Sequence, residues 1–519
     1  MTARASSSLD ASAGRWTLVS AVLGSSMAFM DGTVVNVALP AIQRSMNASG
    51  ADAQWLIESY ALFLAALLLV GGALGDRFGR KRVFLVGVVV FTAMSAACAA
   101  AQDTGQLIAA RALQGIGAAL LVPGSLALLG ANFPEASRGR AIGTWSAFSG
   151  ITAAIGPVVG GFLVDHFSWR WAFLLNVPIG AALLFACLFK VPESRGDAAD
   201  GPIDVLGAVT ATLGLAGIVF ALIEAPARGW GSAPVAIAGV VGVIGLAAFV
   251  ACEARMRNPM LPLHLFRDRD FAGANLLTLL LYAALGGGLY FVPLNLIQVQ
   301  GYAATAAGAA LLPFVAIMFA LSRWAGSLVD RMGAKIPLIV GPTIAAAGFA
   351  LLARPGVGGR YWATFFPAIC VLGLGMTITI SPLTTTVMNA LGEKLAGTAS
   401  GVNNAVSRAA GLLAIAALGA VLAHVFQARL HEALNDSTLP RDVADAVYAQ
   451  RSRLGAIAPP TGAASAVAAQ VRDAVGHAFV AGFRAAMLTS AGLALASALS
   501  AWWLISGRRP EPSSKGSST

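Results

Sequence analysis

The chain has 519 residues, of which 57% are hydrophobic and only 11% are charged, and its mean hydropathy is +0.76. This composition excludes an ordinary soluble protein and indicates a polytopic membrane protein. The formal net charge of +10 does not indicate nucleic-acid binding, because the charges are spread over short loops and form no basic domain. The four cysteines lie in or beside apolar runs without C-x-x-C spacing, so we expect neither a disulfide nor a metal site.

Fourteen apolar runs are long enough to cross ~30 Å of hydrocarbon, and each predicts a transmembrane helix. The predicted helices are 16–39, 54–74, 83–101, 106–130, 140–163, 170–189, 205–224, 234–252, 271–294, 304–328, 336–353, 361–388, 396–424 and 477–505. The lysines all fall in the even-numbered turns and the two tails. Because positive charge collects on the cytoplasmic side of membrane proteins, both termini are predicted to be cytoplasmic.

The helix order predicts two six-helix bundles joined by an inserted pair of helices. The predicted parts are a cytoplasmic tail (1–15), an N-terminal bundle (16–190), a linker with two additional helices (191–270), a C-terminal bundle (271–506) and a second cytoplasmic tail (507–519). The C-terminal bundle includes a long outer loop, 425–475, in which apolar and charged residues alternate around three prolines. We expect short amphipathic helices there, on the outer surface, forming either a structural cap or a partner-binding surface.

The charged turn between the second and third helices, with the pattern G-x-x-x-D-R-x-G-x-K, occurs twice. The first copy is Gly72, Asp76, Arg77, Gly79, Arg80 and Lys81, and the second is Gly326, Asp330, Arg331, Gly333 and Lys335. The copies stand about half the chain apart, which indicates two similar halves. The aspartate can accept hydrogen bonds from helix N-terminal amides or pair with an arginine. The turn resembles the signature loop of the major facilitator superfamily, which implies a cytoplasmic gating loop.

Three charged residues are predicted at membrane depth, where an unpaired charge costs at least ~2.5 kcal/mol. Asp31 lies ~12 Å, Glu58 ~6 Å and Arg111 ~8 Å from the outer end of its helix, so we expect them to share the outer half of the first bundle. Carboxylates in such a cluster can take up and release a proton as water access switches sides, which proton coupling requires. The alternatives are a static ion pair with Arg111, a turn at Gly32 capped by Asp31, or partial hydration of Glu58.

Two further motifs support a resemblance to the 14-helix drug/proton antiporter branch of this superfamily. Asp31 with Asn36 and Pro40 resembles its first-helix motif. Arg111 with Gln114 resembles its fourth-helix motif, and the resemblance implies that this arginine takes part in proton handling. An acidic residue at the position of Glu58 is similar to the subset that exports lipophilic cations.

The fifth helix carries a run of small residues and one proline, namely Gly150, Gly156, Pro157, Gly160 and Gly161. Small residues four apart allow close helix contact in lipid, and the proline makes a local bend. The G-P-x-x-G-G core resembles the antiporter motif that distinguishes exporters from importers within the superfamily.

Five polar residues are candidates for a substrate path: Asn36, Gln114, Gln298, Asn403 and Arg408. The amide of Gln298 could equally be an interfacial anchor. The guanidinium of Arg408, near mid-membrane, could contact substrate or pair with backbone carbonyls.

The predicted fold is an all-α polytopic membrane protein of fourteen transmembrane helices, arranged as two six-helix bundles of major facilitator type plus two inserted linker helices. A P-loop is absent from the sequence, so ATP-driven pumping is not expected. We expect no enzyme activity and no cofactor, with a proton gradient as the energy source.

The predicted function is proton-coupled efflux of amphipathic, in particular cationic, small molecules by alternating access. The alternatives are a dedicated exporter of one antibiotic or metabolite, a proton-coupled importer, and a membrane receptor or scaffold. The expected partners are a small-molecule substrate, protons and the bilayer of a bacterial inner membrane, without nucleic acid. A periplasmic adaptor is compatible with this topology, although no sequence feature indicates one.

Overall fold

The computed structural model describes residues 2–133, 135–195, 204–256, 259, 261–358, 360–391, 396–460 and 462–506. These residues contain fourteen helices that are long and apolar enough to cross a membrane. Each overlaps one predicted span, so the prediction of fourteen transmembrane helices is confirmed. The predicted second tail, 507–519, lies outside the described residues.

Six helices form the first bundle and six form the second, with a pair between them. The first bundle consists of α1 (Thr2–Met46), α2 (Gly50–Phe78), α3 (Arg80–Ala100), α4 (Thr104–Asn132), α5 (Glu135–His166) and α6 (Trp171–Lys190). The inserted pair is α7 (Val205–Arg228) and α8 (Ala233–Arg255). The second bundle consists of α9 (Arg269–Leu294), α10 (Ala304–Ala309 and Leu312–Met332), α11 (Lys335–Leu352), α12 (Phe365–Ala390), α13 (Ala396–Asn435) and α14 (Ser465–Leu504).

We call the two ends of the molecule the termini side and the loop side. The termini side holds the first residues of α1 and the last residues of α14, and the loop side holds the connection between α13 and α14. The residues predicted as a first tail are helical from Thr2 onward. The chain from 2 to 13 has neither glycine nor proline, so no residue there interrupts the helix.

The outer loop differs in part from its prediction. Helix α13 continues to Asn435 and α14 begins at Ser465, so both project well beyond a ~30 Å hydrocarbon layer. The extension of α13 buries Phe426, Leu430 and Leu434, whose spacing of four residues defines one helix face. Between the two helices lie the short helix Arg441–Ala449, which is the expected kind of loop helix, and the 3-10 turn Arg451–Ala456.

The repeated turn has the same backbone conformation in both halves. Gly79 has a φ of +112° and Gly333 a φ of +76°, a left-handed region that residues with a Cβ rarely adopt. Each glycine ends one helix and precedes the next. The equivalence of these two turns supports the internal repeat predicted from sequence.

The inserted pair lies beside the seam between the bundles. Leu62 of α2, Val219 of α7 and Leu412 of α13 are buried in one apolar cluster. The Trp55 indole Nε1 also donates to the Glu224 carboxylate of α7 at 3.1 Å. Helix α7 therefore contacts both bundles.

The two bundles meet closely on the loop side. The Gln298 side-chain Nε2 donates to Gln43 Oε1 at 2.7 Å, which joins α1 to the turn after α9. A Cβ added at Gly419 of α13 would overlap the Gln54 amide of α2. By contrast, Phe148 and Trp324, nearer the termini side on α5 and α10, are 52% and 44% exposed. The structure is therefore closed on the loop side.

Candidate functional site

A buried ion pair forms the centre of the candidate site. Asp31 of α1 and Arg111 of α4 are paired through Oδ2 and Nη1, and neither side chain is exposed. The Arg111 Nε donates to the Leu56 carbonyl oxygen of α2 at 3.0 Å, and its guanidinium carbon lies 4.3 Å from the centroid of the Tyr60 ring. One arginine thus connects three helices. A buried charge is tolerated only where its partners are in place, so these contacts require the three helices to pack together.

Neutral polar side chains complete the surroundings of Asp31. Its Oδ1 accepts hydrogen bonds from Gln114 Nε2 at 3.0 Å and from Asn176 Nδ2 at 2.9 Å. The same two nitrogens also donate to Ser95 Oγ, at 3.3 Å and 3.0 Å. One cation and two amides therefore surround the carboxyl group of Asp31.

Sequence reasoning missed two members of this network. Asn176 is not among the predicted site residues, although an amide inside an apolar span is costly enough to signal a polar partner. Nothing in the sequence marks Ser95 as a site residue, because a serine hydroxyl can hydrogen-bond to a backbone carbonyl of its own helix. In the structure Ser95 Oγ instead donates to the Phe173 carbonyl oxygen of α6 at 2.9 Å.

Glu58 does not join the ion pair of Asp31 and Arg111. Its depth was predicted, but its direction was not. Residues 56 and 58 point about 200° apart around a helix, and the Leu56 side of α2 faces Arg111. Both carboxylate oxygens of Glu58 are buried without a hydrogen-bond partner among the described residues. Glu58 instead lies close enough to Tyr290 of α9 to act on it electrostatically.

The first copy of the charged turn is held within the first bundle. Asp76 Oδ1 accepts from Arg80 Nε at 2.8 Å, which is the arginine pairing that the sequence left open. The N-terminal amide of α3 is capped by a different carboxylate, because the Lys81 backbone N donates to Glu193 Oε1 at 2.9 Å. Glu193 was not among the predicted turn residues.

The second copy of the turn connects α10 to α11. Arg331 is exposed there, while the side chain of Asp330 lies outside the described residues.

The small residues of α5 permit close contacts with α1 in the first bundle and with the start of α10 in the second. A Cβ at Gly156 would overlap Thr33 of α1, and one at Gly161 would contact the backbone of Ala304 and Thr305 at 2.5 Å. The predicted close packing of this motif agrees with the structure at these positions. Gly150 differs, because no atom lies within 4 Å of a Cβ placed there.

A carboxylate at the end of α5 joins the two bundles next to this contact. Asp165 accepts hydrogen bonds from the backbone N of Ala304 at 3.0 Å and of Thr305 at 2.8 Å, and from Thr305 Oγ1 at 2.6 Å. The sequence analysis did not identify Asp165. These bonds fasten the start of α10 to α5 on the loop side.

The predicted path residues do not form one group. Gln114 belongs to the Asp31 network, and Gln298 lies in the closed loop-side contact with Gln43. Asn403 Nδ2 donates within the second bundle, to Thr278 Oγ1 at 2.7 Å. Asn36 is half-buried, and its Oδ1 has no hydrogen-bond partner among the described residues.

Arg408 of α13 faces the first bundle. Its guanidinium carbon lies 6.0 Å from the centroid of the Phe29 ring of α1. The structure shows no backbone carbonyl or carboxylate of the described residues bonded to it, and its Nε is buried without a partner. Of the two alternatives for Arg408, pairing with backbone carbonyls is not found among the described residues in this conformation.

The described residues contain no group of three or more His, Cys, Asp and Glu side chains arranged to hold a metal ion. The four cysteines are free.

Comparisons with known proteins agree with this architecture. A model of the Major Facilitator Superfamily matches residues 21–415. The chain is 36% identical over 452 residues to the multidrug resistance protein Stp of Mycobacterium tuberculosis (strain CDC 1551 / Oshkosh), covering 85% of this chain and 83% of that protein. It is 33% identical over 505 residues to the tetracenomycin C resistance and export protein of Streptomyces glaucescens, covering 96% and 92%.

A solved structure with a similar fold is a bacterial homologue of the human lysosomal transporter Spinster, in an inward-facing and unoccupied conformation. The TM-score is 0.67 with 16% sequence identity, covering 96% of this chain and 99% of that chain. At this identity the likeness concerns the fold alone.

Proposed function

Because this chain belongs to the major facilitator superfamily of membrane transporters, we propose that it exports small amphipathic molecules, including drugs, in exchange for protons. The relatives named for multidrug resistance and for antibiotic resistance and export support efflux as the direction. Proton coupling rests on this chain's own residues. The observation that carries the proposal of proton coupling is that two buried carboxylates, Asp31 and Glu58, differ in their hydrogen-bond partners.

Asp31 and Glu58 differ in their hydrogen-bond partners in this conformation. Asp31 has an arginine and two amide donors. Glu58 has none among the described residues, and an ionised group there would cost at least ~2.5 kcal/mol. Closure of the loop side therefore requires a proton on Glu58, which links proton binding to conformation.

We propose that the loop side faces outward and that both termini lie in the cytoplasm, in a bacterial cytoplasmic membrane. A proton taken up from outside neutralises Glu58 after substrate has left, and this permits the bundles to close on the loop side. The cavity then opens toward the termini side and binds new substrate. Loss of the proton to the cytoplasm makes the closed loop-side contact unfavourable and returns the transporter to its outward-facing state.

The roles proposed for the other predicted residues follow from their positions. Asp31 and Arg111 hold α1, α2 and α4 together, so a change in their pairing would be transmitted to helices that also contact the second bundle. Gly161 permits the close approach of α10 to α5 on the loop side, and Gly156 and Gly160 permit close packing of α5 against α1. The Asp76 turn is proposed to act as a latch on the termini side when that side closes.

A dedicated exporter of a single antibiotic is the second candidate. The relative named for export of one compound, tetracenomycin C, favours it. The two candidates differ in how many unrelated compounds are exported and not in the proton mechanism.

The proposal is tested by efflux of fluorescent amphipathic dyes from cells that overexpress the chain, with and without a protonophore. Wild type should export dye in a protonophore-sensitive way. Glu58→Gln, which cannot ionise, and Asp31→Asn should each lower the efflux rate by at least about tenfold, a difference of ~1.4 kcal/mol. Glu224→Gln is the matched control, because Glu224 is a mostly buried carboxylate in α7 outside the site.

Proteoliposomes decide the coupling directly. An imposed proton gradient should drive dye uptake against its concentration by wild-type protein and by Glu224→Gln, but not by Glu58→Gln. Gradient-driven transport by Glu58→Gln at the wild-type rate would show that Glu58 does not carry the coupling proton.

A further inference from the structure

Arg408 is a half-buried cation for which the described residues supply no anion. Among the described residues it has no ion pair and no hydrogen-bond acceptor, and its Nε is enclosed. Charged side chains at membrane depth almost always pair with another residue or mark a substrate pathway. The absence of a partner is therefore the observation to be explained.

Arg408 lies between the bundles and not at the lipid surface. It belongs to α13 of the second bundle, yet it stands 6.0 Å from the Phe29 ring of α1. It is 12 residues from the start of α13, or ~18 Å along the helix, which is mid-membrane. Gly419, where α13 meets Gln54, lies ~16 Å further toward the loop side. Arg408 is thus below the closed contact and half-buried.

The carboxylates nearby are not available to neutralise Arg408. Asp31 follows Phe29 by two residues and so points to the opposite side of α1, where Arg111, Gln114 and Asn176 occupy it. Neither carboxylate oxygen of Glu58 has a hydrogen-bond partner among the described residues, so Glu58 is not bonded to Arg408. The titratable group that acts on Arg408 is the Tyr60 hydroxyl, which already donates to the Ala28 carbonyl oxygen at 3.2 Å.

We propose that Arg408 binds the anionic group of the transported molecule, so that the substrates of this chain include amphipathic organic anions. This inference rests on the proposed export function and names its substrate class. The half-buried Phe29 ring offers an apolar surface beside the charge, and the exposed amide of Asn404 lies one helical turn away. A carboxylate, sulfonate or phenolate on an aromatic body matches this combination.

The proposal departs from the cationic substrates that an acidic residue in α2 suggested. Glu58 is fully buried in α2, whereas Arg408 is partly exposed. A cation placed beside Arg408 would be repelled, while an anion would gain a charge-assisted hydrogen bond of about 1.5–3 kcal/mol.

The test compares two xanthene dyes of nearly equal size, one anionic and one cationic. Arg408→Gln should lower protonophore-sensitive efflux of the anion by about ten- to hundredfold and leave efflux of the cation unchanged or raised. Arg408→Lys should retain part of the anion efflux, because it keeps the charge. Arg354→Gln, which removes an exposed arginine after α11, is the control and should export both dyes as wild type does.

Binding to the purified protein separates this inference from the proposed function. The anionic dye should raise the midpoint of thermal unfolding of wild type and Arg354→Gln, and this rise should be lost in Arg408→Gln. If wild type exports neither dye but shows this Arg408-dependent shift, efflux fails and the anion site stands. If wild type exports the cation alone and the anion gives no shift, the anion site is wrong and efflux stands.

Discussion

At the scale of single residues, the depth of a charged side chain in the membrane could be predicted, whereas its direction could not. Asp31 and Arg111 were expected near each other because both are too costly to bury alone, and the structure pairs them. Glu58 is equally costly to bury alone, but it points toward the second bundle and not toward Arg111. Tyr290, on which it acts electrostatically, is more than 200 residues away in the chain, so only the tertiary fold brings the two near each other.

The pairing of Asp31 with Arg111 makes a prediction for stability. Arg111→Met leaves Asp31 as a buried charge without a cation, which should lower the free energy of unfolding by about 3–5 kcal/mol. Asp31→Asn combined with Arg111→Met removes both charges and should recover most of this loss, because amide donors remain around residue 31. Thermal unfolding of the purified variants measures the stability, and dye efflux should be lost in both. A double variant no more stable than Arg111→Met would show that the two charges do not act as a pair.

At the scale of helices, the sequence was sufficient to find the spans but not their outer ends. Hydrocarbon thickness sets a minimum apolar length, and each predicted run became a helix. The extensions of α13 and α14 lie beyond the bilayer, where hydropathy no longer predicts a helix and only the spacing of apolar residues does. The buried Leu430 and Leu434 have that helical spacing. The contact partner of α5 was also not predictable, because close approach by small residues says nothing about which helix approaches.

The end of α5 makes the next prediction. Asp165→Ala removes three hydrogen bonds between the bundles, and because this carboxylate is solvent-exposed we expect a loss of only ~1 kcal/mol. That is enough to shift a two-state equilibrium about fivefold toward an open loop side. Spin labels at Phe167→Cys and Ala303→Cys in a cysteine-free background would report a larger population of long distances. Asp473→Asn, an exposed acid on the same side, is the control and should leave the distances unchanged.

At the scale of the whole molecule, the internal repeat and the inserted pair constrain how the halves can move. Equivalent glycines at 79 and 333 place equivalent turns in both bundles, which indicates two rigid units of similar construction. Helix α7 contacts both units through Leu62 and Leu412. If the bundles rock about an axis at the membrane depth of Arg408, α7 must slide along at least one bundle. The smooth apolar faces of this cluster permit such sliding more readily than hydrogen-bonded contacts would.

Rocking of the bundles requires the loop-side contact to break in every cycle, and this gives the last prediction. Gln43 and Gln298 touch across the bundles through their amides, with Nε2 and Oε1 2.7 Å apart. Gln43→Cys combined with Gln298→Cys, in a chain whose four native cysteines are replaced, should be joined by a short bifunctional thiol reagent. Cross-linking should stop dye efflux almost completely, and a reductant should restore it. Each single variant treated with the same reagent should keep transporting. Because the bridge joins α1 to the end of α9, efflux at the full rate by the cross-linked protein would mean that substrate leaves without separation of the bundles, and alternating access about this contact would have to be abandoned.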